Sequence, residues 1–382
     1  MPQYFEDSAE NFYHIANFLE HLGKKVQLYV VIEKSNIQPD IKNIKKIYCL
    51  DNGKNKISKL NRFFKLIRIY FALYNQGVHI FFARSSLTGV LPLIVANRLL
   101  NFNRTEIIFW SCGQDVVPIS LIPTIRNIKR IFSKIIAWFS FKSINYLATG
   151  PELMVDFYNT KYKIPKSKIL TLYNDISIIR FSPLDSKDKI KLKKSLLGSD
   201  KKVMLFVHTF NKSRGVDLLP SIAQHIKERG INAQILAIGR PGNYSKELNQ
   251  KINEKNLQDY LINLGQIPNK DIDKYYKIAD LFLMPSRGEG FPRVLLEAMA
   301  CGCPTISFDV GGVENILSPS TTGQLLIPCN DDQRFINNSL SLIINDFELK
   351  KLGKKSLARA INYSTANVVN MYLDSLEGLQ NK

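Results

Sequence analysis

Apolar bursts of four to seven residues alternate along the chain with longer stretches in which apolar positions recur at helical spacing. The bursts are Val26–Ile32, His79–Ala83, Glu106–Trp110, Tyr146–Thr149, Val203–Val207, Ala233–Ile238, Leu261–Leu264, Leu281–Pro285 and Thr305–Phe308. Continuous apolar runs of this length suit strands buried on both faces, and the helical stretches supply the crossovers that parallel strands require. The pattern therefore predicts an α/β protein in which helices cover parallel sheets. It is interrupted between about Asn174 and Lys202, where Arg180-Phe-Ser-Pro183 leads into the strongly charged segment Asp185–Lys194. A chain of 382 residues exceeds the ~250–300 at which a single core stops growing, so two doubly wound units are expected. At the amino end Met1–Asp7 is too short and polar for an opening strand, and Ser8–Leu22 reads directly as a helix with Gly23 as its stop.

Composition narrows the class. Hydrophobic residues make up 45% of the chain and charged residues 22%, which excludes a disordered or fibrous protein. The net charge is +19, and residues 1–150 hold 20 Lys/Arg against 9 Asp/Glu. Such a surface attracts anionic lipid headgroups or other polyanions; lysines that merely populate solvated faces would give the same total. No nucleic-acid-binding motif accompanies the charge, and no nucleic-acid partner is expected. The five cysteines form no CxxC pair, and the five histidines are scattered, so neither a disulfide framework nor a metal site is indicated. No basic region followed by an apolar core opens the chain, and the longest apolar run, Ile135–Phe141, is far shorter than a bilayer span. A cytoplasmic protein that touches the inner face of a membrane without crossing it fits these features. The stretches Lys54–Tyr74 and Ile125–Lys142 mix Lys and Arg with Phe, Ile and Trp138 at near-helical spacing. Each suits either an interfacial helix or an ordinary core-facing helix with a basic outer face.

The segment most informative about chemistry is Leu281–Gly302. A buried-strand run, Leu281–Pro285, is followed by the glycine-containing loop Ser286–Gly290, and Pro292 sits where a first helical position tolerates proline. Gly302 closes the helix, and Pro304 follows. Unpaired N–H groups around Gly290, Phe291, Pro292, Arg293 and Val294, proline excepted, would face the crevice beyond the strand's carboxyl end, which suits a diphosphate. Glu289 lies in the loop and Glu297 inside the helix. Two carboxylates beside a phosphate make sense if each accepts hydrogen bonds from sugar hydroxyls, Glu297 from a ribose and Glu289 from the transferred sugar or its developing positive charge. Taken alone, each could equally serve as a cap or a turn residue. A second basic loop, His208-Thr-Phe-Asn-Lys212-Ser-Arg214-Gly215, follows the strand ending at Val207. Lys212 and Arg214 there could neutralise a leaving diphosphate without a metal.

Glu289-Gly-Phe-Pro-Arg-Val-Leu-Leu-Glu297, with Pro304 and Gly311-Gly312 beyond it, resembles the Glu-x7-Glu signature of the retaining GT-B glycosyltransferases of family 4. Leu172-Tyr-Asn174-Asp-Ile-Ser177 and Phe181-Ser-Pro183 resemble that family's interdomain segment, and Gly239, Gly265 and Thr322-Gly323 fall at its nucleotide-side glycine turns. The resemblance threads roughly residues 8–360. It implies a GT-B fold, two doubly wound Rossmann-like domains facing a central cleft. Residues 1–178 would bind the acceptor, residues 179–362 the nucleotide sugar, and residues 363–382 would form a helix packing back toward the first domain. The implied reaction transfers a hexose-type sugar, with retention, from a nucleoside diphosphate sugar to a hydroxyl of a glycan or lipid-linked glycan, in cell-surface polysaccharide or glycolipid assembly, lipopolysaccharide included. No cofactor or metal is implied. Glu289, Arg214, Lys212 and Asp115 would carry the chemistry. Glu297, Gly290, Phe291, Pro292, Arg293, Val294, Thr209, Gly239, Gly265 and Ile267 would hold the donor. A nucleotide-sugar epimerase or a catalytically weak donor-binding protein on the same architecture is the alternative.

The chain also departs from the family. Where relatives read Gly-Arg-Leu followed by Lys-Gly, it has His208 for the glycine, Thr209 for the arginine and Arg214 for the lysine. Cys112 stands where relatives often carry a histidine; Gly113 there would admit a substrate, and Asp115 would accept an acceptor hydroxyl or cap a helix. Arg84-Ser85-Ser86 ends another strand of the same half. Asp271-Ile-Asp273 imitates a metal-binding pair but opens a helical stretch, with Asp271 expected as its cap.

Overall fold

The computed structural model describes residues 13–35, 39–50, 59–84, 87–99, 105–111, 138–150, 152–323 and 325–380. The chain divides into two compact units, Met1–Tyr173 with Val369–Lys382, and Asn174–Val368. All strand pairings are parallel among the described residues.

The first unit contains a two-stranded sheet, β1 (Tyr29–Ile32) beside β2 (Lys46–Cys49), and a four-stranded sheet in the order β3 (Ile80–Arg84), β4 (Glu106–Trp110), β5 (Tyr146–Thr149), β6 (Ile169–Thr171). Leu66, Leu93, Ile107, Leu147 and Tyr158 lie in its main core. On the other face Ile108, Trp110, Ala148 and Leu172 are covered by Tyr372 and Leu376. Those two residues belong to the last helix, Thr365–Gln380, which packs from Val369 onward on this unit. The opening helix is Tyr13–Gly23; the predicted start at Ser8 lies outside the described residues.

The second unit is built on one six-stranded sheet in the order β12-β11-β10-β7-β8-β9. Its strands are β7 (Lys202–Val207), β8 (Ala233–Ile238), β9 (Leu261–Gly265), β10 (Leu281–Met284), β11 (Thr305–Phe308) and β12 (Leu325–Ile327). Every residue of β8, β10 and β11 is buried, which is why these strands read as continuous apolar runs. Helices Leu219–Glu228, Asp332–Ile344 and Asp346–Ile361 contribute Leu219, Ile222, Phe335, Leu340 and Leu352 to the core against Met204, Ile235 and Phe308. A half-buried Asp280, just before β10, is met by Lys189 at 2.7 Å and Lys193 at 2.8 Å from helix Ser186–Leu197, and it accepts the Val203 N–H. The charged segment at the interruption of the apolar pattern is thus a helix fastened to the sheet. The ends of this unit lie side by side. Ile176 bridges Ser364 in parallel, and the Thr365 hydroxyl donates to Asp175 at 2.7 Å.

Candidate functional site

In the second sheet the strand order reverses between β10 and β7, so the loops leaving their carboxyl ends turn apart and open a crevice. The two strands are directly paired, Leu281 with Met204 and Phe282 with Leu205. The loop after β7 carries His208 to Arg214, and the loop after β10 carries Ser286 to Glu289.

Glycines set how closely these loops approach. Gly215 ends the 3-10 turn Lys212–Arg214 at φ +76°, and a Cβ there would overlap the Pro285 carbonyl oxygen. A Cβ on Gly239, at the end of β8, would overlap the His208 carbonyl oxygen, and one on Gly311 would overlap that of Glu289. Arg287 stitches the β7 and β10 loops together. Its amide donates to Ser213 O at 2.9 Å, and its guanidinium donates to Lys212 O at 2.9 Å and to Asp217 at 2.8 Å. Gly312 N–H donates to Gly290 O at 2.8 Å and ties down the far side of the Glu289 loop.

What these approaches assemble is a cluster around one carboxylate oxygen. Glu289 Oε1 accepts from Arg214 Nη1 at 2.6 Å and from Ser286 Oγ at 2.8 Å, and it lies 3.1 Å from His208 Nε2. Arg214 Nη1 also donates to Gly288 O at 2.5 Å. Burial raises the Glu289 carboxyl's affinity for a proton, but the net displacement is downward. His208 (through its hydrogen bond, and through its charge when protonated), the Arg214 charge and the Ser286 hydroxyl outweigh the burial. Glu289 is therefore an anion at neutral pH. Arg214, expected to face a diphosphate, directs its charge to Glu289 instead: the sequence does not reveal that the two side chains are adjacent. Lys212 is exposed, and its charge reaches Glu247.

Glu297 has the opposite character. It is the fifth residue of helix Arg293–Ala300, and burial raises its carboxyl, opposed by the Tyr276 hydroxyl and the charges of Arg293 and Arg180. Tyr276 itself is fully buried, with its hydroxyl directed at the Glu297 carboxyl. Folding thus takes up protons at Glu297 and gives them up at Glu289. Stability linked to Glu297 is present below the ordinary glutamate range and is lost as pH rises through its raised pKa. Stability linked to Glu289 is present above that range and is lost as pH falls through its lowered pKa. Glu297→Gln is expected to be more stable than wild type at about pH 7, with the gap closing toward about pH 4; Glu289→Gln is expected to be less stable at about pH 7, again converging in acid. Urea melts across that range check both signs.

The Arg293–Ala300 helix begins after Pro292, which is its cap rather than its first turn, since Pro292 keeps an extended ψ of 118°. The N–H groups of Arg293 and Val294 have no acceptor among the described residues, and they form the anion-attracting end of the helix. The Arg293 side chain turns away from that role. It donates to Asp175 O at 2.7 Å and Asp175 Oδ1 at 3.2 Å, while Asn174 Nδ2 donates to Phe291 O at 2.9 Å. Phe291 is buried, edge-on to Tyr363.

The remaining expected donor residues are spread around the same strand ends. The Thr209 N–H donates to His208 Nδ1 at 2.8 Å, and Gly239 N–H donates to Gly265 O at 2.8 Å. Gly265 has φ +65°, and Ile267 is half-buried beyond it. Asp271 is not a cap: the helix spans Asn269–Ile278 behind Pro268, and Asp271 pairs with Lys274 within its first turns. Asp273 pairs with Lys277, and among the described residues no group of acidic, His and Cys side chains could hold a metal ion. Cys112, Gly113, Asp115, Ser85 and Ser86 lie outside the described residues; Arg84 ends β3. His208 and Ser286 are the members that the sequence reading missed. Each lies just past a strand of the reversal point, and His208 also stands where the family has glycine.

Residues 187–359 match the family described as glycosyl transferases group 1. The uncharacterized glycosyltransferase MJ1607 of Methanocaldococcus jannaschii is 27% identical over 224 residues, 56% of this chain and 56% of its own, so the match spans little more than half its length. An uncharacterized 41.2 kDa protein in the cps region of Klebsiella pneumoniae is 25% identical over 346 residues, 86% of this chain and 88% of its own. The solved structure of Anabaena HepE in complex with UDP and glucose superposes with a TM-score of 0.74 at 15% identity, covering 98% of this chain and 99% of that one. The chain thus has the GT-B fold, and its residues 187–359 are similar to the glycosyl transferases group 1 family.

Proposed function

We propose that this chain is a retaining glycosyltransferase of the family 4 type, which transfers a sugar from a nucleoside diphosphate sugar to a hydroxyl of a glycan or lipid-linked glycan. The observation that carries the reading is an anionic Glu289, held by Arg214, Ser286 and His208 at the reversal point of the sheet, one loop away from the unpaired N–H groups of Arg293 and Val294. The helix end receives the diphosphate, and Glu297 receives the ribose hydroxyls. Glu289 faces the sugar, where an anion stabilises the positive charge that develops at the anomeric carbon. The bond from that carbon to the diphosphate oxygen breaks as the acceptor oxygen bonds to the same face. The acceptor's proton passes to the departing diphosphate. With Arg214 already paired, charge on the diphosphate is met by the helix end and by Lys212, and no metal is needed.

A cytoplasmic protein bound to the surface of an anionic membrane fits the same reading. Helix Lys59–Asn75 exposes Leu60, Phe64 and Phe71 at spacings of four and seven, beside exposed Lys65 and Arg68. Among the described residues no helix is long and apolar enough to cross a membrane.

Incubation with UDP-, GDP- and ADP-sugars and a lipid-linked glycan acceptor in anionic vesicles, with EDTA present, is expected to release free nucleotide from one of the three and to give an α-linked product from an α-configured donor. Stabilisation without release would leave a donor-binding protein. Absence of thermal stabilisation by any nucleoside diphosphate would overturn the reading.

A further inference from the structure

The imidazole of His208 has both ring nitrogens occupied, and the occupants define its state. Nδ1 lies 2.8 Å from the N–H of Thr209, so it accepts, and an accepting ring nitrogen bears no proton. In the neutral ring the proton is then on Nε2, which lies 3.1 Å from Glu289 Oε1 and donates to it. The backbone fixes the ring on its other side: His208 N–H donates to Ile238 O at 3.0 Å, and the close approach of Gly239 seats the His208 carbonyl. The Glu289 side chain is only 10% exposed and that of His208 22%, so water cannot readily replace this donor.

We infer that His208 is a positioning residue for Glu289, acting as a fixed Nε2–H donor. Together with Arg214 and Ser286 it gathers three donors on Oε1, while Oε2 accepts from none of the described residues. A carboxylate anchored through one oxygen keeps a single orientation and presents the other. With Nδ1 accepting, the ring donates from Nε2 and orients the carboxylate without adding a positive charge, whereas a second guanidinium at this place would neutralise it further. His208 therefore does for the geometry of Glu289 what Arg214 does for its ionisation. The inference rests on the reading of Glu289 as the carboxylate facing the sugar.

Two measurements separate the inference from that reading. His208→Ala is expected to lower kcat by ~10–100-fold with the donor KM within about threefold, and His208→Gln, whose Nε2 can reach the same oxygen, to recover most of the loss. Equal losses in the two variants, or a loss confined to KM, would overturn the positioning role. Independently of activity, long-range nitrogen-proton NMR of histidine-labelled protein is expected to show His208 as the Nε2–H tautomer, with its resonances moved by Glu289→Gln. An Nδ1–H tautomer would overturn the inference even in an active enzyme. A wild-type protein that releases no nucleotide, yet shows the Nε2–H signal responding to Glu289→Gln, would sink the functional reading and leave the His208 contact standing.

Discussion

Glutamine in place of Glu289 is expected to reduce turnover by ~10²–10³-fold while leaving the donor KM within about threefold, measured as nucleotide released per enzyme. The substitution keeps the shape and removes the charge. If the carboxylate acts on charge that develops only as the sugar leaves, the loss belongs to kcat, because the ground-state donor carries no positive centre to bind. Glu297→Ala is the counterpart: its expected effect is on affinity, since ribose hydroxyls are the same in ground and transition states. A Glu289→Gln variant whose defect lies wholly in KM would reassign Glu289 to donor binding. There is also a structural side to the change. The amide would turn a donor toward Arg214 or Ser286 unless it flips, so the variant is best compared with Glu289→Ala to separate lost charge from a disturbed cluster.

The second large effect is expected from one methyl group. Gly311→Ala places a Cβ on the Glu289 carbonyl oxygen at a residue with φ +54°. The left-handed backbone costs about 1 kcal/mol and the overlap about 1–3 kcal/mol more. For a unit of this size that is a fall in Tm of ~5–15 °C, and any relief by loop movement shifts Glu289 itself. Turnover is therefore expected to fall further than stability alone explains. Gly288→Ala is the control, two positions from Gly290 in the same loop. Its Cβ would enter open space at an ordinary φ, so its Tm should stay near that of wild type. Similar melting of the two variants would show that the Gly311 approach is not what seats the loop.

How far the sequence carried these conclusions depended on burial and on distance along the chain. β8, β10 and β11 were legible because complete burial leaves no polar position to blur the run. β2, β6 and β12 escaped notice because they are three or four residues long and partly exposed, with β6 and β12 at sheet edges. Glycine and proline spacing located the Glu289 loop, since turn chemistry is local. Partnerships were not legible. Arg214 meets Glu289 across 75 positions, and Arg293 meets Asp175 across 118. Nothing in either segment alone says that a basic side chain is already engaged. His208 looked like a loss of the family's glycine and became intelligible only once the ring was seen to lie between Thr209 and Glu289.

The meeting of Asp175, Ile176, Ser364 and Thr365 has a consequence for how the protein is partitioned. Residues 174–368 leave and rejoin the rest of the chain at a single spot, so the second unit is an insertion with adjoining ends. Such a module can be cut out, or its ends joined by a short linker, without opening its core. Arg293 extends the junction to the helix whose amino end is read here as the diphosphate seat. The start of the Arg293–Ala300 helix is therefore moored at the point where its domain joins the rest of the chain, and a graft that respected the strand ends but severed residues 174–175 would lose the mooring while keeping every residue of the Glu289 to Glu297 motif.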